Sequence, residues 1–248
     1  MSYGTIHFFS HALARKAAFN VIVPEVHRAG PGPYPCLYLF HGLTDDYTAW
    51  LTNTGIWRYV RDLPLVVVMP DIARSFGIHT HAGECYEEFL TRDLIEYVEH
   101  AFPVRPGRES RAVGGLSMGG YASVLLGLKH PELFCSVGAH SGAYLAHKAR
   151  DLEAFGPRNG EVRYRYNLFR LAEKADRARL PALYLDCGDE DYLIESNRAF
   201  HQHLEALGIP HDYREFPGVH DWDYWDTHIR HSLEHHCTAL QVAPAPGA

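Results

Sequence analysis

The chain has no run of lysines or arginines, and its 23 basic residues are outnumbered by 30 acidic ones, for a net charge of −7. A binding surface for nucleic acid or for an anionic membrane is therefore not expected. No apolar stretch approaches the roughly 20 residues that a spanning helix needs, so no membrane partner is expected either. The stretch Met1–His7 lacks the charged and apolar regions of a secretory signal, which makes a cytoplasmic location the expectation. Cysteine is sparse: the five stand at 36, 85, 135, 187 and 237, an odd number without any C-x-x-C. Neither a disulfide framework nor a zinc finger is expected from that pattern. Cys36, Cys135 and Cys187 lie in or beside apolar runs and read as buried free thiols. No internal repeat is visible, so a solenoid or propeller is not indicated.

What the chain does have is enough apolar residues, 46 % of 248, for a sizeable core. Continuous apolar runs at Leu37–Phe40, Leu65–Met69, Ala112–Leu116, Ser136–Ala139 and Ala182–Leu185 predict strands covered on both faces, the mark of a parallel sheet. Helical patterns at 84–101, 118–129 and 195–207 fall between them. In the first, Tyr86, Phe89, Leu90, Leu94, Tyr97 and Val98 share one face. This alternation predicts an α/β fold with a mostly parallel, doubly wound sheet. Thr5–Phe9 and Ala17–Val23 have no helix between them and fit an antiparallel N-terminal edge. The reading is a single domain over 1–241, with a flexible tail over 242–248. Residues 143–180 break the rhythm. They read as a small lid insertion over the carboxyl edge of the sheet, or equally as an ordinary surface excursion. Tyr144, Phe155, Tyr164, Tyr166 and Phe169 within it suggest an aromatic-lined site.

The chemistry begins at Gly115-Leu116-Ser117-Met118-Gly119, a G-x-S-x-G between a strand and a helix. Such a sharp turn strains the serine backbone and presents its hydroxyl. A serine nucleophile needs a base, and the base needs an orienting anion. After the strand at 182–185 comes Asp186-Cys187-Gly188-Asp189-Glu190-Asp191, four carboxylates at a strand end. Asp191 is the favoured acid and Asp189 the alternative. Asp189 and Glu190 also suit a solvated turn that caps the next helix. After the strand-like 211–216 comes Gly218-Val219-His220-Asp221-Trp222, which singles out His220 from 18 histidines as the base. The aromatic run behind it could fix its loop by packing. The backbone N–H groups of Met118 and Leu43 are the expected oxyanion donors, the second from the loop His41-Gly42-Leu43.

These residues carry a resemblance. His41-Gly42-Leu43, Trp50, Met69-Pro70-Asp71, Gly115–Tyr121, Ser141-Gly142, Gly188–Asp191 and Gly218–Trp222 are similar to the motifs of the putative-esterase family of α/β-hydrolases. That group includes tributyrin esterases, S-formylglutathione hydrolases and the antigen 85 mycolyltransferases, and the tributyrin-esterase branch is the nearest. The resemblance spans about 36 to 225. It implies the α/β-hydrolase fold, triad roles for Ser117, Asp191 and His220, and a site to which Gly42, Trp50 and Trp222 contribute substrate contacts. The expected partner is a small-molecule ester with a short acyl chain, attacked to give an acyl-enzyme. S-formylglutathione, feruloyl or acetyl esters, or acyl transfer to an alcohol, are the alternatives, and a non-catalytic binding protein is a further one.

No cofactor or metal is expected. His79 and His81 could share one side of a strand, but only Glu84 lies near as a further ligand, and a pocket wall or surface loop is the better reading. His231 and His235 are four apart on the last helix, but Ser232 stands where an H-E-x-x-H motif needs glutamate. With His236 they read as a solvated helix face. A homo-oligomer is compatible with the sequence but not indicated by it.

Overall fold

In the computed structural model, which describes residues 2–149, 151–158 and 160–243, eight strands form one sheet in the order β1-β2-β4-β3-β5-β6-β7-β8. They are β1 Ser2–Ser10, β2 Arg15–Val23, β3 Cys36–Phe40, β4 Val66–Pro70, β5 Arg111–Leu116, β6 Ser136–His140, β7 Ala182–Gly188 and β8 Asp212–Phe216. β1 pairs antiparallel with β2, and β2 antiparallel with β4. From β4 through β3 and β5 to β8 every pairing is parallel. The helices are α1 Val26–Ala29, α2 Ala49–Asn53, α3 Ile56–Tyr59, α4 Tyr86–Glu88, α5 Leu94–Ala101, α6 Met118–Lys129, α7 Glu161–Arg165, α8 Leu168–Lys174, α9 Ile194–Ala206 and α10 Trp222–Ala239. A π turn over Phe89–Asp93 joins α4 to α5. The expected helix over 84–101 is thus present with one widened turn.

Successive strand residues point to opposite faces, and both faces are covered. Cys36, Tyr38 and Phe40 of β3 belong to one core with α6, Phe200 of α9 and much of 143–180. Leu37 and Leu39 belong to the other, with Trp50, Ile56 and Ile229. That is why these strands read as unbroken apolar runs.

Residues 118–128 of α6 are all buried. A helix without a wet face needs cover on every side. The sheet supplies one side and 143–180 supplies another: the Tyr121 hydroxyl donates to the Tyr166 carbonyl, and Phe155 meets Tyr121 edge-on at 5.8 Å. Glu87 fastens this segment down, accepting from Lys129 Nζ, His130 Nε2 and the Tyr166 hydroxyl at 2.8, 2.7 and 2.7 Å. Burial pushes that carboxyl up, but the hydrogen bonds from His130, Lys129 and Tyr166 outweigh it and hold it at about 2. Most of the described part of 143–180 therefore lies on α6 and α9, while residues 151–154 border a cavity beside Leu43 at the carboxyl edge. Its aromatic residues do not line a site. Tyr144, Phe155 and Tyr166 are core residues, Phe169 packs on Phe200, and Tyr164 is exposed.

The last helix also departs from expectation. His236 is fully buried, with Nδ1 at 2.7 Å from Ser136 Oγ, and the glycine at 138 leaves room for its ring. His79 and His81 dock the insertion: the His79 N–H donates to the Tyr166 hydroxyl and the His81 ring lies over Gly156. Among the described residues no group of three His, Cys, Asp or Glu side chains converges as metal ligands would. No helix among them is long and apolar enough to cross a membrane. All five cysteines are free. Of the expected tail, Val242 donates its N–H to Cys237 and packs on the second core, while 244–248 lie outside the described residues.

The glycines of the serine motif are there for close approach. A Cβ on Gly119 would sit 2.5 Å from the Phe40 carbonyl oxygen and 2.7 Å from that of His41. One on Gly115 would sit 2.7 Å from the Gly119 carbonyl carbon. The start of α6 thus rests directly on the end of β3. Gly119→Ala should lower stability by about 3 kcal/mol, the upper range for overpacking, because the obstacle is backbone. The urea midpoint checks this, and an unchanged midpoint would contradict the packing.

Candidate active site

Ser117 lies between β5 and α6 with φ 50° and ψ −110°. A non-glycine residue there is strained by about 1–3 kcal/mol and persists only where its surroundings hold it. Three backbone bonds do so: the Ser117 N–H donates to the His140 carbonyl at 2.8 Å, and the Tyr121 and Ala143 N–H groups donate to the Ser117 carbonyl at 3.0 and 3.1 Å. The side chain therefore projects at the carboxyl edge of the sheet, where ligands bind in open α/β folds.

The loops after β7 and β8 bring two partners to it. His220 Nε2 is 3.0 Å from Ser117 Oγ, and His220 Nδ1 is 2.7 Å from Asp191 Oδ2. Residues 103 and 29 apart in sequence thus form one hydrogen-bonded line. Asp191 is 1 % exposed. Burial pushes its carboxyl up, but bonds from His220, the Leu193 N–H and the Ser141 hydroxyl hold it below its ordinary value. Asp189 is spent elsewhere: its Oδ1 accepts the Gly218 N–H at 3.0 Å. The Asp191 N–H in turn donates to the Gly188 carbonyl, so the glycine turn folds the acid back toward the sheet.

Above the serine lies the N-terminus of α6. Met118 is its first residue, and first-turn N–H groups have no acceptor within the helix. Opposite it runs the 41–43 loop. The His41 ring is buried and bridges this loop to the one after β4: Ile72 N–H donates to Nε2 at 3.0 Å, and Nδ1 donates to the Gly42 carbonyl at 2.7 Å. A Cβ on Gly42 would sit 2.9 Å from Leu116 Cδ1, so glycine lets this loop close on β5.

The tryptophans divide. Trp50, expected as a substrate contact, is 1 % exposed and donates its indole N–H to the Phe40 carbonyl. It supports the end of β3 from within the core. Trp222 is half-buried and stands edge-on to both Trp50 and Trp225. Trp225 meets the His220 ring edge-on at 4.9 Å and donates to Ser141 Oγ at 3.2 Å. Tyr192, 76 % exposed, lies with its ring centroid 4.4 Å from that of His220. The aromatic run behind His220 was expected to fix its loop by packing, and Trp225 is the member that meets the ring. His41 and Ser141 lay among the motif residues without individual roles, and Tyr192 had no role of its own beyond following Asp191.

The arrangement can remove a proton from a serine hydroxyl, hold the resulting imidazolium against a buried carboxylate, and receive an oxyanion at backbone N–H groups. An acetyl esterase from Caldicellulosiruptor saccharolyticus is 31 % identical over 217 residues, 80 % of this chain and 81 % of that protein. The structure of a fluorophosphonate-binding serine hydrolase from Staphylococcus aureus superposes with a TM-score of 0.86 at 26 % identity, covering 95 % of this chain and 98 % of that one. An S-formylglutathione hydrolase from the same organism gives 0.82 at 26 %, with the same coverage. The family model described as "Putative esterase" matches residues 10–236. The chain belongs to that esterase family, and is a carboxylester hydrolase of the α/β-hydrolase fold.

Proposed function

We propose that the protein hydrolyses short-chain acyl esters through an acyl-enzyme on Ser117, with His220 as base and Asp191 as its orienting acid. The observation that carries this reading is the unbroken line Ser117 Oγ–His220 Nε2, 3.0 Å, and His220 Nδ1–Asp191 Oδ2, 2.7 Å. His220 takes the proton of Ser117 as the oxygen attacks the ester carbonyl. The oxyanion accepts from the N–H groups of Met118 and Leu43, each such donor worth roughly 3 kcal/mol in the transition state. His220 then protonates the departing alcohol, and afterwards takes a proton from the water that releases the acid. Asp191 keeps the Nδ1 proton in place throughout, which leaves Nε2 free to accept.

The acyl group is assigned to the cavity next to Leu43, the proposed oxyanion donor, whose lining includes none of Ser117, Asp191 and His220. The cavity measures about 260 Å³ and is bordered by Phe76, Leu152 and Ala154, with Arg74, Glu84 and Glu153 among its polar neighbours. That is below the range of about 300–1,000 Å³ usual for drug-sized ligands. Acetyl to butyryl groups fit it better than long chains. A series of p-nitrophenyl esters should give the highest kcat/KM between acetyl and butyryl, falling at least about tenfold by octanoyl, the scale of a few misfitted methylenes. Methyl ferulate and S-formylglutathione belong in the same series. A maximum at octanoyl, or on methyl ferulate or S-formylglutathione, would overturn the short-chain ester assignment.

A further inference from the structure

Asp186, one of the four carboxylates at the end of β7, takes no part in the mechanism above. It is fully buried and meets His140, also fully buried, with Oδ2 at 2.8 Å from Nδ1. The other ring nitrogen of His140, Nε2, is 2.8 Å from Ser232 Oγ on α10. A second Ser–His–Asp line thus runs beneath the first, without access to solvent. Such a pair carries a large desolvation cost, and apolar residues of similar volume often serve stability as well or better. Where the pair sits is therefore more informative than its energy.

His140 and Asp186 are register partners at the ends of neighbouring parallel strands, beside Leu116, the residue before the nucleophile. Each also offers a backbone carbonyl to a serine held at positive φ. The His140 carbonyl accepts from Ser117 N–H at 2.8 Å, and the Asp186 carbonyl accepts from Ser141 N–H at 2.7 Å. Ser117 and Ser141 both have φ 50°. Ser141 in turn hydrogen-bonds the Asp191 carboxylate. The second oxygen of Asp186 accepts from the Tyr224 hydroxyl at 3.1 Å. Tyr224 stands in the first turn of α10, packs against Gly218, and is four residues past His220. One buried pair therefore touches the supports of all three residues of the exposed line.

We infer that His140 and Asp186 are positioning residues, a buried clamp that holds the backbone of Ser117, the Ser141 support of Asp191 and the α10 anchor of His220 in one register. The inference rests on the proposed roles of Ser117, Asp191 and His220. It separates from mere stabilisation because misplacement of about 1 Å can cost about 100-fold in rate without loss of substrate binding.

The test uses His140→Gln, Asp186→Asn and Tyr224→Phe, the last deleting one hydroxyl in case the others do not fold. Each is assayed on p-nitrophenyl acetate, with kcat expressed per serine titrated by a fluorophosphonate. A purely structural role would lower the number of titratable serines but leave kcat per titrated serine unchanged. The clamp predicts a fall in that kcat of about 10- to 100-fold, with KM within about threefold and an equal fall in the labelling rate. A fall of less than about fivefold in every variant that folds, or one matched by a change in KM, overturns the clamp. A wild-type protein that neither turns over the ester nor labels would instead overturn the roles of the exposed triad.

Discussion

Replacing Ser117 by alanine is expected to abolish ester hydrolysis, lowering kcat by roughly 10⁵-fold or more, the scale seen when a serine hydrolase loses its nucleophile. This corresponds to about 7 kcal/mol of lost transition-state stabilisation. Nothing nearby can substitute. Ser141 Oγ is fully buried and bonded to the Trp225 indole, and Ser232 is enclosed beneath the sheet. The fold should survive the change. The Ser117 N–H and carbonyl make their bonds to His140 and Ala143 whatever the side chain, and alanine bears the same positive φ as serine. The melting temperature should accordingly move by no more than about 2 °C, as for a change of well under 1 kcal/mol. Hydrolysis of p-nitrophenyl acetate and labelling by a fluorophosphonate check the prediction together. A folded variant that keeps a tenth of the wild-type kcat would remove Ser117 from the reaction.

The exposed line was legible because each member sits where a strand ends, and strand ends are marked in the sequence. The apolar run before Gly115-Leu116-Ser117 and the one before Gly188 each stop at a glycine turn, and the strand-like 211–216, though largely polar, is followed by the turn at Gly218. Those three turns lie at the ends of β5, β7 and β8. The sheet order was not written in the same way, but the unbroken apolar runs carried its parallel character and its two covered faces. What could not be read was which groups meet across the sheet. Trp50 was expected as a pocket residue from the family resemblance, yet its indole turns inward to the Phe40 carbonyl. The aromatics of 143–180 looked like a site lining because that segment is long and polar. Phe155 and Tyr166 instead help to cover a helix that has no wet face, a requirement visible only once α6 is seen buried all round. His140 is separated from Asp186 and Ser232 by 46 and 92 residues along the chain, and nothing but strand register and the path of α10 brings them together.

The two aspartates of the β7 loop should separate cleanly. Asp191→Asn is expected to lower kcat by roughly 10⁴-fold at neutral pH, because the amide reverses the tautomer of the histidine it faces. The substituted side chain would present an N–H₂ to His220 Nδ1, which would then have to accept. The ring proton would sit on Nε2, opposite Ser117 Oγ, and the serine would face a donor instead of a base. Asp189→Asn should leave kcat within about threefold of wild type, since Oδ1 of either side chain can accept the Gly218 N–H and the group touches no reacting atom. The acid dependence of stability gives an independent reading. The Asp191 carboxyl is held below its ordinary value of 3.8 in the folded protein. A depressed carboxyl adds stability that is fully present above the unfolded value and is lost as pH falls through the folded one. Asparagine does not titrate, so the stability gap between wild type and Asp191→Asn should be largest above about pH 5, shrink as the pH falls from the unfolded value toward the folded one, and level off below it. Urea midpoints measured from about pH 7 down to about pH 3 follow that gap. A constant gap, or a loss of activity in Asp189→Asn equal to that in Asp191→Asn, would move the acid of the triad away from Asp191.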